Sequence, residues 1–317
     1  MSDTLPSRQE FFFAYDIRMG NPNGDPDENR PRVLPDNTYY VTDVRLKRFI
    51  RDFFKSQGRD ILVDSIEGRT TNLTGRVSAE LAKQGKKEAT GRELVDIILE
   101  SFVDARLFGS SLAFKKDSGP GAKEWKPEPK TLTGALQISH GEVLHDAQEI
   151  EIRGTSIFGS DADKSQGTFT EFFGLRYGLI GFNGIANEHS ADKSHLTKDD
   201  YDATLKAMWH GIRSAGNTRS KTGQVPRFLT SISYKSGHEF QFGNLLDYVE
   251  LKGEGDPRNW KGPQDYTLDL SRLRERLEGF AHHIDQVSYC LSPDMNLIEE
   301  DAAFLSKHHN LDFDGPG

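Results

Sequence analysis

Phe11-Phe12-Phe13-Ala14-Tyr15 constrains the fold more than any other stretch of the chain. The run is apolar and aromatic, short, and bounded by turn residues, which marks a strand buried in a sheet. Directly after it the character changes. Gly20, Pro22, Gly24, Pro26, Pro31 and Pro35 exclude regular structure for about fifteen residues. A helix follows, with Thr42 or Asp43 as its cap and an acidic residue suiting its first turn. Leu46, Phe49, Ile50, Phe53 and Phe54 recur at helical spacing and make one apolar stripe. Strand, long loop and amphipathic helix form the unit that the rest of the chain presents and extends.

The helix is basic in an acidic chain. Asp43 to Arg59 carries six basic residues against two acidic, while the whole chain stands at −9. Lys47, Arg48, Arg51 and Lys55 fan over the flank and the far face. The acidic partners that would support surface pairs are mostly missing from the segment, so the face is expected to meet phosphates. A solvated helix face is the alternative. In the loop, Asn21-Pro22-Asn23-Gly24 contains residues that tolerate positive φ, so its N–H groups could turn inward as an anion nest. An ordinary solvated connection is the alternative there. Asp25, Asp27 and Asn29 resemble the start of a calcium loop, but the sixth position is Arg30 instead of Gly and the twelfth is Asp36 instead of Glu, which sets calcium aside.

Composition bounds the remaining possibilities. A pI of about 5.6 argues against indiscriminate coating of nucleic acid and is compatible with one basic groove. With 317 residues, 20 of them Phe, the chain can bury a large core in one domain or two. It has no run of about 18 apolar residues and no apolar segment at its N-terminus, so a cytoplasmic protein without membrane contact is expected. A single cysteine, Cys290, excludes an internal disulfide and a cysteine zinc cluster, and is expected as a small core residue.

The chain then reads as an interrupted series. Residues 58–100 are polar and then helical, with Glu93 to Leu99 carrying the periodicity, and look like an inserted lobe. Ser101 to Phe108 is expected as a strand or its approach. Residues 113–131 form a long Lys/Pro/Gly loop, expected to be mobile. There Lys115, Lys116 and Trp125 suit single-strand contacts, with anchoring of the loop by Trp125 as the alternative. Leu132 to Leu144 is strand-like, and its Gln137, His140 and nearby His145 show no metal spacing. Ile150 to Phe158 and Thr168 to Phe173 alternate around the polar GSDADKSQG and read as a long hairpin. Tyr177 to Phe182 is a strand, Thr197 to Ile212 a helix capped by Thr197, and Phe228 to Tyr234 a strand. Thr218 to Gly223 is a basic, hydroxyl-rich loop suited to phosphate. Leu268 to Ile284 is expected as a helix, and the acidic residues 292–317 as a poorly ordered tail. The order β-α-β-β-α-β predicts an α+β chain of the ferredoxin-like or RNA-recognition type, one sheet with helices on one face.

GNPNGDPDENRPR, VTDVRLKRFIR, the DARLFGSS and TGALQIS pair, and TRSKTGQVPR together resemble one family, over roughly three quarters of the chain from Phe11 to Tyr234. It is the backbone subunit of type I CRISPR Cascade complexes, the Cas-seven branch of the RAMP proteins, nearest to subtype I-B with I-C next. The resemblance implies a hand: a recognition-motif-like palm (1–57, 101–149 and 174–291), a helical finger lobe (58–100) and a hairpin thumb (150–173). It implies a non-catalytic, RNA-binding subunit that polymerises head to tail along a CRISPR guide RNA, with other Cascade subunits, and leaves the bases to pair with target DNA in antiviral defence. It places Lys47 and Arg51 on guide phosphates with Arg48 and Arg45 beside them. Asn21, Asn23 and Gly24 fall in the loop along the RNA, Gln137 in the strand facing it, and Arg219 and Lys221 in the basic loop. Ile157 and Phe169 are the candidate thumb wedges. No cofactor, metal or catalytic residue is implied.

Two rival readings stay open. A related kind of backbone protein cuts RNA with a loop aspartate and a divalent metal, for which Asp25, Asp27 and Asp43 would be the candidates. A general single-strand binder would coat unrelated RNA equally well. Ser139-His140, His282-His283 and His308-His309 lack partners at the spacing a nucleophile triad needs.

Overall fold

The computed structural model describes residues 4–65, 71–114, 125–155 and 169–314, with the backbone alone at Thr155, Phe169 and Thr170. Lys115, Lys116, Ile157, the hairpin tip and most of the 113–131 loop lie outside the described residues.

Strand β1 (Gln9–Gly20) leads through the loop to the short β2 (Tyr40–Val41) and helix α1 (Asp43–Ser56). A helical lobe follows, made of α2 (Leu73–Lys83) and α3 (Gly91–Ser101), and α4 (Val103–Phe108) returns the chain to the main body. Then come β3 (Gly109–Ser111), β4 (Thr131–Thr133), β5 (Leu136–Ile138), β6 (Gly141–Val143), β7 (Glu149–Thr155) and the long β8 (Phe169–Ala186). Next are α5 (Glu188–Ser194), α6 (Lys198–Ser214) and β9 (Val225–Tyr234). The last part adds β10 (Glu250–Gly253), β11 (Tyr266–Asp269), α7 (Ser271–Gly279), β12 (Ile284–Leu291), α8 (Glu299–Leu305) and β13 (His309–Asn310).

The main sheet is ordered β13-β12-β9-β1-β8-β6-β2, and β5 and β7 also pair with β8. β1 is its centre, antiparallel to both β8 and β9. Phe11, Phe13, Tyr15 and Ile17 face a core shared with Leu46, Phe49, Ile50 and Phe54 of α1 and Leu205, Met208, Trp209 and Ile212 of α6. Phe12 and Ala14 face a second core with Phe228, Ile232, Trp260, Leu268, Leu273 and Leu277. Burial on both faces is why β1 reads as a continuous apolar run rather than an alternation. It also corrects the expectation of a sheet covered on one face: the second face is closed by the C-terminal part.

One further expectation is narrowed and two change. Ser101 ends α3, Phe102 is extended, and Val103–Phe108 is the helix α4, which leads directly into β3, so the segment is the approach to a strand and not the strand itself. Phe102 and Ala105 point into the lobe core and Val103 and Leu107 into the main core, so two helical spacings overlap and imitate alternation. In Leu268 to Ile284 the helix spans only Ser271–Gly279, because Leu268 pairs with Leu251 and Ile284 starts β12. Residues 292–314, expected as a poorly ordered tail, form α8 and β13. Met295 and Leu305 join the second core, and buried Asp301 accepts the Leu270 N–H at 2.7 Å and faces Arg274 at 3.1 Å. A seven-residue helix is too short to show a period; tertiary packing holds it. The hairpin arms pair as expected, Glu149 with Leu175 through Thr155 with Phe169.

Candidate nucleic-acid interface

The loop after β1 is a built structure. Asn21 is buried; its N–H donates to Ser220 O at 3.0 Å and its Nδ2 to Asn29 O at 2.6 Å. Lys221 reaches in from the basic loop and donates Nζ to the carbonyls of Asn21 and Pro22. Asn23 Oδ1 accepts the Thr42 N–H at 2.9 Å and the Thr42 hydroxyl at 2.8 Å. Thr42 occupies the N-cap of α1 without making a side-chain cap of its own, so Asn23 fastens the loop to the helix start. Asp25 Oδ1 gathers the N–H groups of Asp27, Glu28 and Asn29 at 3.0, 2.8 and 3.1 Å, and those bonds, that of Glu28 first, hold its carboxyl below the usual range. A β-carbon on Gly24 would stand 1.9 Å from Asn29 Oδ1, so a side chain there would have to push the Asn29 amide aside. The N–H groups of Asn21 and of 27–29 are thus spent inside the protein, and the loop serves as a frame.

On α1 the acidic partners expected to be missing are present. Lys47 pairs with Asp43 at 2.8 Å, Arg48 with Asp52 at 2.8 Å, Arg51 with Asp104 at 2.8 Å and Lys55 with Asp64 at 2.7 Å. Two of those carboxylates come from the helix itself, Asp64 from the loop just after it, and Asp104 from α4, 53 residues from Arg51. Asp104 is 1% exposed and also accepts the N–H groups of Leu62 at 2.7 Å and Val63 at 3.2 Å, so Arg51 balances a buried structural charge. Burial alone would raise Asp43, but the Lys47 ammonium pulls it below the usual range.

Arg45 differs from its neighbours. Among the described residues it has no carboxylate partner. Its guanidinium lies over the Phe49 ring at 4.5 Å, its Nε is buried without a hydrogen-bond partner, and burial lowers its pKa. Close to it, Lys221 is 9% exposed and pushed down to about 7, by burial first and then by the charge of Arg45. Tyr15 Oη, Asn21 Oδ1 and both amide atoms of Gln224 are likewise buried without hydrogen-bond partners among the described residues. Gln224 donates its N–H to Lys221 O, and Tyr15 lies opposite Pro226. The charge of Arg45 thus acts on both Lys221 and the buried Tyr15 hydroxyl, and two cations with no carboxylate partner among the described residues lie together beside the loop after β1. Buried polar groups are normally paired, and this composition suits an anion with several acceptor oxygens. Arg219, exposed on the basic loop, has the Phe172 ring as its neighbour at 5.0 Å and no carboxylate among the described residues.

The other candidates fall elsewhere. Gln137 sits in β5 opposite Ile185, at the end of β8 away from the hairpin, and donates to Gly134 O at 3.0 Å. Trp125 stacks on Phe114 with centroids 4.7 Å apart and packs on the lobe core, the anchoring alternative. Phe169 lies in β8, with its side chain outside the described residues. Among the described residues no three His, Cys, Asp or Glu side chains come together as a metal site. Tyr15, Gln224 and the buried placement of Lys221 escape the sequence: Tyr15 reads as core, and a lone Gln after a glycine carries no signal.

The model of the family described as CRISPR-associated protein Cas7 matches residues 7–271. A CRISPR-associated protein Cas7 of Haloferax volcanii is 31% identical over 296 residues, covering 89% of this chain and 86% of that protein. Two solved structures share the fold: a CRISPR RNA-guided surveillance complex, TM-score 0.51 and 14% identity, and the same kind of complex in a pre-nicking state, TM-score 0.52 and 13% identity. Each match covers 95% of this chain and 98% of the other.

Proposed function

The chain belongs to the CRISPR-associated protein Cas7 family, and on that premise we propose that it is the guide-RNA-binding backbone subunit of a type I surveillance complex, of the subtype I-B kind. Copies stack head to tail along the guide, a contact that propagates rather than closes. The protein holds the backbone and base pairing reads the target DNA. The observation that carries this reading is the neighbouring pair Arg45 and Lys221 beside the loop after β1, which meets no carboxylate among the described residues. Arg45, Lys221 and Arg219 are the phosphate-facing charges of this cation cleft, framed by Asn21, Asn23 and Gly24. Lys47, Arg48 and Arg51 flank it with their charge already balanced and contribute less. Gln137 and Trp125 are peripheral.

The architecture supports the hand. The central order β9-β1-β8-β6, every neighbour antiparallel, with α1 and α6 on one face, is the arrangement expected of a recognition-motif palm. Helices α2 and α3 are its finger lobe and the β7–β8 hairpin its thumb. Because the second face of the sheet is covered, RNA runs along the loop edge and not across the sheet as in free-standing recognition motifs. The subunit is read as non-catalytic: Asp25 is committed to three N–H groups and Asp43 to Lys47.

Purification from cells that express a CRISPR array tests the proposal. A large particle carrying RNA of one length, dissociated by nuclease or high salt, is the expected result. A particle that holds unrelated RNA of every length would instead support general single-strand binding. Cleavage of complementary RNA by the particle with Mg²⁺ would contradict the non-catalytic reading.

A further inference from the structure

Phe172 and Phe173 are consecutive residues of β8, so their rings project to opposite faces of the hairpin root. The guanidinium of Arg219, from the basic loop, lies over the Phe172 ring at 5.0 Å. That of Arg30, from the loop after β1, lies over the Phe173 ring at 4.4 Å. Arg30 is also tied to Glu149 of β7 at 2.7 Å and to Glu28 at 3.6 Å. Between these contacts the backbones touch. A β-carbon on Gly174 would stand 2.8 Å from Gly20 O, and one on Gly20 2.8 Å from Ser220 O. The end of β1, the hairpin root and the basic loop are stacked with no space for a side chain.

We propose that Arg30 and Arg219 are positioning residues that bracket the hairpin root and fix its pitch over the cation cleft. The proposal rests on the reading of that cleft as the RNA site. The two brackets are unequal. Arg30 is balanced by carboxylates and acts as a fixed pin. Arg219 has the ring and no carboxylate among the described residues and is exposed, so a phosphate laid beside it shares the charge without displacing the ring. Loading of RNA therefore tightens one bracket, and hairpin order and backbone binding are linked through Arg219.

Hydrogen exchange of the backbone amides of residues 149–154 and 171–175 tests this, with and without single-stranded RNA, in wild type, Arg30→Lys, Arg219→Lys and Phe172→Leu. Lysine keeps the charge and loses the planar face that stacks. Without RNA, each variant is expected to exchange about two- to five-fold faster in the arms, the size of a half-exposed cation–π contact, while β1 and α1 exchange as in wild type. RNA should slow the arms further in wild type and Arg30→Lys. Arg219→Lys, compared at saturating RNA, should gain no such protection. Identical arm exchange in all four proteins without RNA overturns the bracket. Equal RNA-linked protection in Arg219→Lys overturns the link. A wild type that binds no RNA overturns the cleft reading instead, and the RNA-free comparison still decides the bracket.

Discussion

Helix α1 and the cleft at the end of β1 both carry cations, and they differ in what stands beside those cations. On α1, Lys47, Arg48, Arg51 and Lys55 each meet a carboxylate within 2.8 Å. At the end of β1, Arg45 and Lys221 sit together without one among the described residues, and burial depresses both. Most of the helix's basic residues are paired, while Arg45 at its start and Lys221 beside it have no carboxylate partner among the described residues. Phosphate binding draws on the unpaired kind, since an ion pair must be broken or shared before its cation serves a phosphate.

The comparison can be broken at several points, most strongly at Asp104. Arg51→Ala leaves that buried carboxylate with two backbone donors alone, and a loss of about 3 kcal/mol is expected. Denaturant unfolding at constant m-value measures it. A small loss there, with a large loss of RNA binding, would return Arg51 to the phosphates. Next in size is Arg45→Gln, expected to weaken single-stranded RNA binding about ten-fold, the value of one charge-assisted contact, with stability nearly unchanged. Filter binding and thermal unfolding of the same preparation separate the two effects.

The third prediction concerns pH. Burial holds Lys221 at about 7 against its ordinary 10.5. Below pH 7 the amine is charged in folded and unfolded chains alike and its burial penalty is felt in full. Between pH 7 and 10.5 the unfolded chain binds the extra proton, so this residue makes stability rise with pH. Wild type should therefore gain on Lys221→Met between pH 7 and 9, measured by unfolding at each pH. RNA favours the charged amine, so affinity should fall as pH rises past 7 in wild type and stay flat in Lys221→Met. The smallest effect is expected from Lys47→Ala with Arg48→Ala. Arg48 and Asp52 are about half exposed, and such pairs are worth little; RNA affinity should change by no more than about two-fold.

The two regions also differ in how far their residues can be read without coordinates. The apolar stripe of α1 and the burial of β1 follow from spacing and composition, and both stand as expected. Asp43 and Asp52 lie at pairing distance in the sequence, but Asp104 and Asp64 reach α1 from another helix and a loop, and nothing local announces them. The NPNG loop was legible as irregular, while its fastening by Asn23 to Thr42 and by Lys221 to two carbonyls is set by contacts nearly 20 and 200 residues apart in sequence. Lys221 in particular reads as a surface cation and is buried. Likewise the hairpin arms were visible as alternation, whereas Arg30 over Phe173 was hidden in what resembled a failed calcium loop. The C-terminal part was misread because its helices and strands are too short to carry a period and stand by packing on the second face of the sheet.

The most direct test compares the salt dependence of single-stranded RNA binding for wild type, Arg45→Gln, and the Lys47→Ala, Arg48→Ala pair. Each lost phosphate contact lowers the slope of log affinity against log salt by about 0.7. The account predicts that reduction for Arg45→Gln and a slope close to wild type for the pair, although the pair removes twice the charge. A wild-type slope in Arg45→Gln, with the loss appearing in the pair, would place the RNA on the outer face of α1 and contradict the cleft.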